Sequence, residues 1–382
     1  MLFIMNNEKR TVTLIDTTLR DGAQAPHVSL TLNDKIAIIS VLYNAGIRIF
    51  EAGIPAMGPE ERNDLSQLKK LFPDCTFMVW CRATNDDVEL ACSELFDCIH
   101  ISFPVSPVHM DIVKFNEKKV FSTLPELVLK AKQCAKHVSI GAQDATRADI
   151  GFLKSFAALA NDAGAERVRI ADTVGILSPL KTKVLFESLL TVVPGSTLEF
   201  HGHNDLGMAT ANTLTALEAG AEFASVTVNG IGERAGNAAM EEVIVAIKET
   251  TELNYDFDIA QISSICSTVA KITNTYIPDN KPVSGKSVFL HKSGIHCHGL
   301  IKNRKAYEPY NPEKTGHTPS RFCAGTHSGI NGLRYMLGDD AQDVSNEILR
   351  MFLDSIHKIA RTQKRSLSED EVRMIFRESV EK

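Results

Sequence analysis

His201 and His203 stand two residues apart in LEFHGHNDL (198–206), a segment with the composition of a β-strand. Side chains at i and i+2 of a strand share a face, so both imidazoles can point to one place. Arg20-Asp21-Gly22 closes another strand-like run, TVTLIDTTLR (11–20). If the two runs lie near each other in a closed sheet, Asp21 reaches the same point. Two imidazoles and a carboxylate make a site for a divalent cation that keeps positions open for a substrate. The alternative is a pair of histidines packed at a strand end. Arg20 adjoins the proposed ligand, where a guanidinium at the bottom of a cleft would polarise a carbonyl oxygen and stabilise an alkoxide. Its alternative is a structural ion pair with Glu51 or Asp172.

Such residues need a scaffold that brings several strand ends to one place. Eight short β-rich runs recur, at 11–20, 48–54, 76–83, 98–105, 137–144, 167–175, 198–206 and 223–232. Helix-like stretches such as 32–45 and 152–163 separate them. Alternating strands and helices point to a parallel sheet, and eight units over roughly 250 residues match the (β/α)8 TIM barrel. Ala45-Gly46, Ala163-Gly164 and Ala219-Gly220 each lead from a helix into a strand, where glycine suits the left-handed residue past a helix end. In such a barrel the chemistry lies at the C-terminal strand ends. Those ends are polar here: Gln24, Glu51, Arg82, Asp172-Thr173, Asn229-Gly230 and, just beyond the last, Asn237.

Residues 1–280 are therefore expected to form a catalytic barrel. Prolines at 278, 282, 309, 312 and 319 mark 281–335 as an irregular linker region, and 336–382 reads as a small helical module. Ser366–Glu369 (SLSE) is expected to open its last helix with a capping box.

Composition narrows the function classes. The 382 residues are 44% hydrophobic and 23% charged, with net charge −6 and no basic tract. This argues for a globular protein and against nucleic-acid or anionic-membrane binding. No apolar run spans a membrane, and MLFIMNNEKR lacks the long apolar centre of a secretory signal. The expected location is the cytoplasm. The 8 cysteines are scattered without a C-x-x-C pair, so most are expected to be buried small hydrophobes.

At these residues the chain resembles a known family. TTLRDGAQ, FEAGIPAMG, WCRA, HISFPVS, DATRAD, ADTVG, HGHNDLGMATAN, VNGIGERAGNAAMEE and SGIHCHGL occur in this order. They resemble the DRE-TIM metallolyase superfamily and, within it, the Claisen-condensing homocitrate, isopropylmalate and citramalate synthases, with nitrogenase-associated homocitrate synthases nearest in motif. The resemblance runs from about residue 11 to about 335. It implies an acyltransferase that condenses acetyl-CoA, as co-substrate, with a 2-oxo acid and releases CoA. It implies Asp21, His201 and His203 as ligands of Mg2+, Mn2+, Co2+ or Zn2+, with Asn237 a weaker fourth. Arg20 would stabilise the oxyanion, and Glu51 would do acid–base work. Gln24, His27, Arg82, Gln143, Thr173 and Tyr307 would bind substrate, the Thr173 hydroxyl meeting the substrate's carboxylate. His296 would act across a homodimer interface to help deprotonate the acetyl methyl group; its alternative is packing in the linker. The length implies no leucine-binding regulatory domain.

The pattern is broken in places. The family's R-D-G-E-Q reads Arg20-Asp21-Gly22-Ala23-Gln24, and E-D-A-[TS]-R reads Gln143-Asp144-Ala145-Thr146-Arg147. His27 replaces a glycine, Pro107 an aspartate, and Thr326 the lysine of G-K-H-S-G. Ala23, Gln143 and Pro107 each remove a negative charge, and a unit charge at about 4 Å is worth about 4 kcal/mol before desolvation. A more anionic or shorter acceptor would fit, such as 3-phosphonopyruvate or oxaloacetate. Drift at positions away from the substrate is the alternative. Two further readings compete: a carbon–carbon lyase of the same superfamily, and a non-catalytic barrel. The second predicts damage to the metal set or Arg20, and both are intact. A Rossmann domain is excluded, since no G-x-G-x-x-G follows the first strand.

Overall fold

The computed structural model describes residues 9–94 and 96–380. Most of the N-terminal segment weighed above as a signal lies outside them. The eight expected runs form eight parallel strands: β1 (Thr13–Asp16), β2 (Ile49–Gly53), β3 (Thr76–Arg82), β4 (Cys98–Pro104), β5 (His137–Gln143), β6 (Arg167–Asp172), β7 (Thr197–Gly202) and β8 (Phe223–Val226). They pair in sequence order, and β8 returns to β1 with Thr13 opposite Phe223 and Asp16 opposite Val226. The sheet is thus the closed TIM barrel read from the sequence.

Helices connect the strands: α1 (Leu32–Ala45), α2 (Pro59–Leu71), α3 (Asn85–Ser93), α4 (Pro107–Ile112), α5 (Glu117–Lys132), α6 (Ile150–Asp162), α7 (Pro179–Leu190) and α8 (Ala209–Glu218). After β8 come α9 (Met240–Thr250) and α10 (Ile262–Ile272). Thr31 and Asp34 close a capping box at the start of α1. The three Ala-Gly pairs punctuate as expected, with Gly46, Gly164 and Gly220 at φ of 116°, 86° and 119°.

The barrel interior changes character along its axis. Ile15, Met78 and Cys98 pack with Ile49 and Phe223 in an apolar layer. Two residues further along their strands stand Glu51, Trp80 and His100. From that level upward the interior is polar and charged, and this layer carries the site.

Residues 260–263 and 277–382 form a second compact unit. It contains α11 (Gly294–Lys302), α12 (Ile330–Leu337), α13 (Asn346–Gln363) and α14 (Glu369–Val380). Leu300, Phe322, Leu333, Leu349, Ile356 and Phe376 belong to one buried cluster, so a single core runs through this unit.

One expectation needs correction. The capping box of α14 is Ser368 with Glu371, not Ser366 with Glu369: Ser368 Oγ accepts from the Glu371 amide at 3.2 Å, and the Glu371 carboxylate accepts from the Ser368 amide at 2.8 Å. Leu367 is the reason. It is buried and exchanges both backbone hydrogen bonds with Ala324, which keeps the chain extended to that point. Most cysteines are buried, as expected: six are free and buried, while Cys92, near the end of α3, and Cys134, just past α5, form a disulfide. Among the described residues, no helix is long and apolar enough to cross a membrane.

Candidate active site and metal centre

Asp21 ends the turn that follows β1, where the amides of Arg20, Asp21 and Gly22 all donate to the Thr17 carbonyl. His201 lies on β7. His203 lies just beyond it and bridges to Asn237 in the loop after β8. The three side chains are buried, and one ligand atom from each lies within 4.8 Å of the others. His201 Nε2 is 3.4 Å and His203 Nε2 3.9 Å from Asp21 Oδ2. The rings are perpendicular, with centroids 5.1 Å apart.

Electrostatics prepare these atoms for a cation. Burial favours the protonated Asp21 carboxyl, but Arg20 and the two imidazoles hold it well below the usual carboxylate range. Burial and then His201 push the His203 imidazole down to about 4. At neutral pH that ring is uncharged and keeps a lone pair for a metal. Among the described residues, nothing hydrogen-bonds to the buried Asp21 Oδ2 or Asn237 Oδ1. A buried unpaired acceptor costs roughly 1–3 kcal/mol, more for a charged one, and a bound cation would relieve that cost. The donor set and its orphaned oxygens fit a divalent ion.

A charged floor lies beside this cluster. Arg20 donates to Asp21 at 2.8 Å and to the Glu51 carboxylate. Of the two carboxylates weighed as its structural partner, Glu51 is the one it meets; Asp172 instead accepts from the Ile176 and Leu177 amides. The other Glu51 oxygen accepts from Arg169 at 2.5 Å, and Arg169 reaches on to Glu199 at 2.6 Å. Burial opposes ionisation of Glu51, yet Arg169 and Arg20 hold its carboxyl below the ordinary value. His100 is fully enclosed, and burial together with Arg169 and Arg20 keeps it well below the usual histidine range. Its Nδ1 is 2.9 Å from Ser139 Oγ. A Cβ on Gly141 would sit 2.5 Å from His100 Nε2, so only glycine leaves that ring its place.

Above the floor opens a cavity of about 280 Å3, lined by Arg20, Asp21, Gln24, Gln143, Thr173, His201 and His203 among others. Trp80, His100, Ser102 and Gly141 line its β3–β5 side. Asn237, tied to His203, donates its amide to Ile231. A second cavity of about 390 Å3 shares Arg20, Gln24 and Ile54 with the first, and Ala23 lines it.

Other expected residues stand elsewhere. Glu51 does not line the cavity; its carboxylate lies beneath, taken by two arginines. His27 is exposed in the loop before α1 and lines neither cavity. Arg82 turns to Asp87 on α3, and its side chain is 65% exposed. Pro107 opens α4. In the second unit, His296 is exposed on α11 and stacks on Tyr307 with ring centroids 4.1 Å apart. The sequence reading missed Arg169, Glu199, His100 and Arg234. The period-2 step that links His201 to His203 would have found Glu199 one step back.

The HMGL-like family model matches residues 11–269, and the homocitrate synthase post-HMGL domain-like model matches 283–364. The chain is 37% identical to 2-isopropylmalate synthase 2 of Caldanaerobacter subterraneus over 97% of its length and 96% of that protein. It is 40% identical to homocitrate synthase of Frankia alni, over 84% of the chain and 92% of that protein. It is 35% identical to 2-phosphonomethylmalate synthase of Streptomyces rubellomurinus, over 91% and 93%. A TIM barrel with this buried His-His-Asp cluster, matched over most of its length by such synthases, belongs to the HMGL-like family, as an acyltransferase of the DRE-TIM Claisen-condensing branch.

Proposed function

We propose that this enzyme condenses acetyl-CoA with 2-oxoglutarate in the manner of a homocitrate synthase. The observation that carries the reading is the convergence of Asp21, His201 and His203 beside Arg20 in one cavity. These three would hold the divalent cation, Mg2+, Mn2+, Co2+ or Zn2+, with Asn237 in reserve. Bound there, the ion supplies Lewis acidity toward the ketone of the acceptor. Thr173 binds the adjacent carboxylate. His296 of a second copy of the chain takes a proton from the acetyl methyl group, and the carbon so freed attacks the ketone carbon. Arg20 stabilises the negative charge that grows on the ketone oxygen. Glu51 acts through Arg20, holding the guanidinium in place with Arg169 behind it. The alkoxide takes up a proton to become the product's hydroxyl; water then cleaves the thioester, giving a carboxylate and releasing CoA as its thiol.

The acceptor follows from the far side of the cavity. Ser102, Gln143, Trp80 and His100 form a neutral, hydrogen-bonding end. That end suits a polar distal group better than a branched hydrocarbon. The cavity arginines already have carboxylate partners: Arg20 with Asp21 and Glu51, Arg169 with Glu51 and Glu199, Arg234 with Asp205. No unpaired cation among the described lining residues waits for a phosphonate dianion, which favours a distal carboxylate over a distal phosphonate. The uncharged Ala23 and Gln143 support the second reading, an acceptor such as 3-phosphonopyruvate or oxaloacetate.

The test is CoA thiol release by the metal-loaded protein with acetyl-CoA and 2-oxoglutarate, oxaloacetate, pyruvate, 2-oxoisovalerate or 3-phosphonopyruvate in turn, with a chelator control. Fastest turnover with 2-oxoglutarate is expected. Preference for phosphonopyruvate or oxaloacetate would move the enzyme to the second reading. Release by none would refute both.

A further inference from the structure

We propose that Arg234 is a positioning residue that clamps three barrel loops and thereby aims the Thr173 hydroxyl at the carboxylate of the 2-oxo acid; this rests on the functional reading above. Arg234 stands in the loop after β8 at φ 55°, a left-handed conformation that non-glycine residues rarely hold. Residues kept in such regions need surroundings that over-determine them. Here the surroundings are a fork of hydrogen bonds. Its guanidinium donates to both Asp205 oxygens, at 2.7 and 2.9 Å, in the loop after β7. It also donates to the Thr173 carbonyl at 2.7 Å, in the loop after β6.

The clamp continues into the site. Thr173 Oγ accepts from the Asp144 amide at 2.9 Å, in the loop after β5. That bond occupies the hydroxyl as an acceptor, so its proton is left to donate. No acceptor for it occurs among the described residues, and Thr173 lines the cavity. A carboxylate there takes that proton in a charge-assisted hydrogen bond. Gly175 shows how closely the loops must meet: at φ 61°, a Cβ on it would lie 2.7 Å from Asp205 Oδ2 and 2.8 Å from the His203 carbonyl. The loop that carries Thr173 is thus pressed against the loop that carries the ligand His203, with Arg234 and Asp205 as the fastener. Lysine cannot replace it, because one ammonium lacks the planar fork that spans a carboxylate and a carbonyl together.

The experiment measures 2-oxo acid binding by calorimetry on the Mn2+-loaded full chain, using 2-oxoglutarate and pyruvate in parallel, since both carry the 2-oxo carboxylate. The variants are T173V, R234M, R234K and the double variant T173V/R234M. One hydrogen bond to a charged group sets the scale, so T173V and R234M should each weaken binding about tenfold. The double variant should also lose about tenfold, because both act through one bond. R234K should resemble R234M. In turnover, the loss should fall on KM for the oxo acid, with kcat and KM for acetyl-CoA little changed. Binding by R234M equal to the wild type overturns the proposal. So does a hundredfold loss in the double variant, or recovery in R234K, which would make charge and not the clamp the cause. If the wild type binds neither acid, the functional reading itself falls, a result distinct from a wild type that binds and an R234M that binds equally.

Discussion

Arg169→Met should be among the most damaging single changes in the barrel. Six buried groups share its interior: Arg20, Arg167 and Arg169 against Asp21, Glu51 and Glu199. Their formal charges cancel. Removing Arg169 leaves one Glu51 oxygen without its 2.5 Å donor and takes the 2.6 Å partner from Glu199. Breaking a buried pair on one side costs about 3–5 kcal/mol. At about 2 °C per kcal/mol for a chain of this size, Tm should fall by about 6–10 °C. The pH dependence is more diagnostic. Arg169 and Arg20 hold the native Glu51 carboxyl below its ordinary value. A depressed carboxyl contributes stability above its unfolded value, about 4.3, and loses it as pH falls through the native value. Without Arg169, burial dominates and the native Glu51 binds its proton at higher pH. The variant's deficit should therefore be largest near neutrality and shrink as pH falls toward 4. Denaturant melts of metal-free protein from pH 4 to pH 8 read this directly. A deficit under about 1 kcal/mol at pH 7, or one that does not change with pH, would refute the charge-pairing account.

Chelation should lower Tm, and excess divalent ion should restore it, adding about 2.7 kcal/mol of stability at a hundred times its Kd; D21N and H203A should show neither response in thermal melts. Cys92→Ser opens a loop with a sequence separation of 42, worth about 4 kcal/mol by chain entropy, so non-reduced wild type should melt above C92S and reductant should erase the gap. Gly141→Ala drives a methyl group toward His100; it should cost about 1–3 kcal/mol and raise KM for the oxo acid, measured by thiol release. Ser368→Ala removes the cap of α14 and should cost about 1 kcal/mol, whereas S366A should be nearly neutral in the same melt.

The barrel was legible because its strands carry a strong local signal. Each run is short, rich in β-branched residues, and ended by glycine or polar residues, and a parallel barrel buries both faces of every strand. The His-His-Asp cluster was legible for a related reason: His201 and His203 obey the two-residue step, and Asp21 ends the turn that follows β1, the strand that closes the sheet against β8. Arg82 shows the limit of that rule. Its step places it with Trp80, but Thr84 and Asp87 cap α3 only a few residues on, and Asp87 takes the guanidinium from two sides at 2.7 and 2.9 Å. A local ion pair outcompetes a distant cavity. The Cys92–Cys134 pair left no trace in the sequence, because two helix ends brought together by tertiary packing have no spacing rule.

Glu199 and Arg169 lie one step below the strand ends, inside β7 and β6, where the strand-end rule for barrel chemistry does not reach. Their position there changes what the strand-end residues can do. Glu51 was expected to do acid–base work, yet both its oxygens accept from arginines and it does not line the cavity. A carboxylate so bound is an anchor for Arg20. Arg20 in turn is fixed between Glu51 and Asp21 and lines the cavity, where the proposed reaction would place its growing negative charge. The buried floor thus supplies what a strand end alone does not: a guanidinium whose position is set before the substrate arrives, so that no reorganisation is left for the moment of reaction.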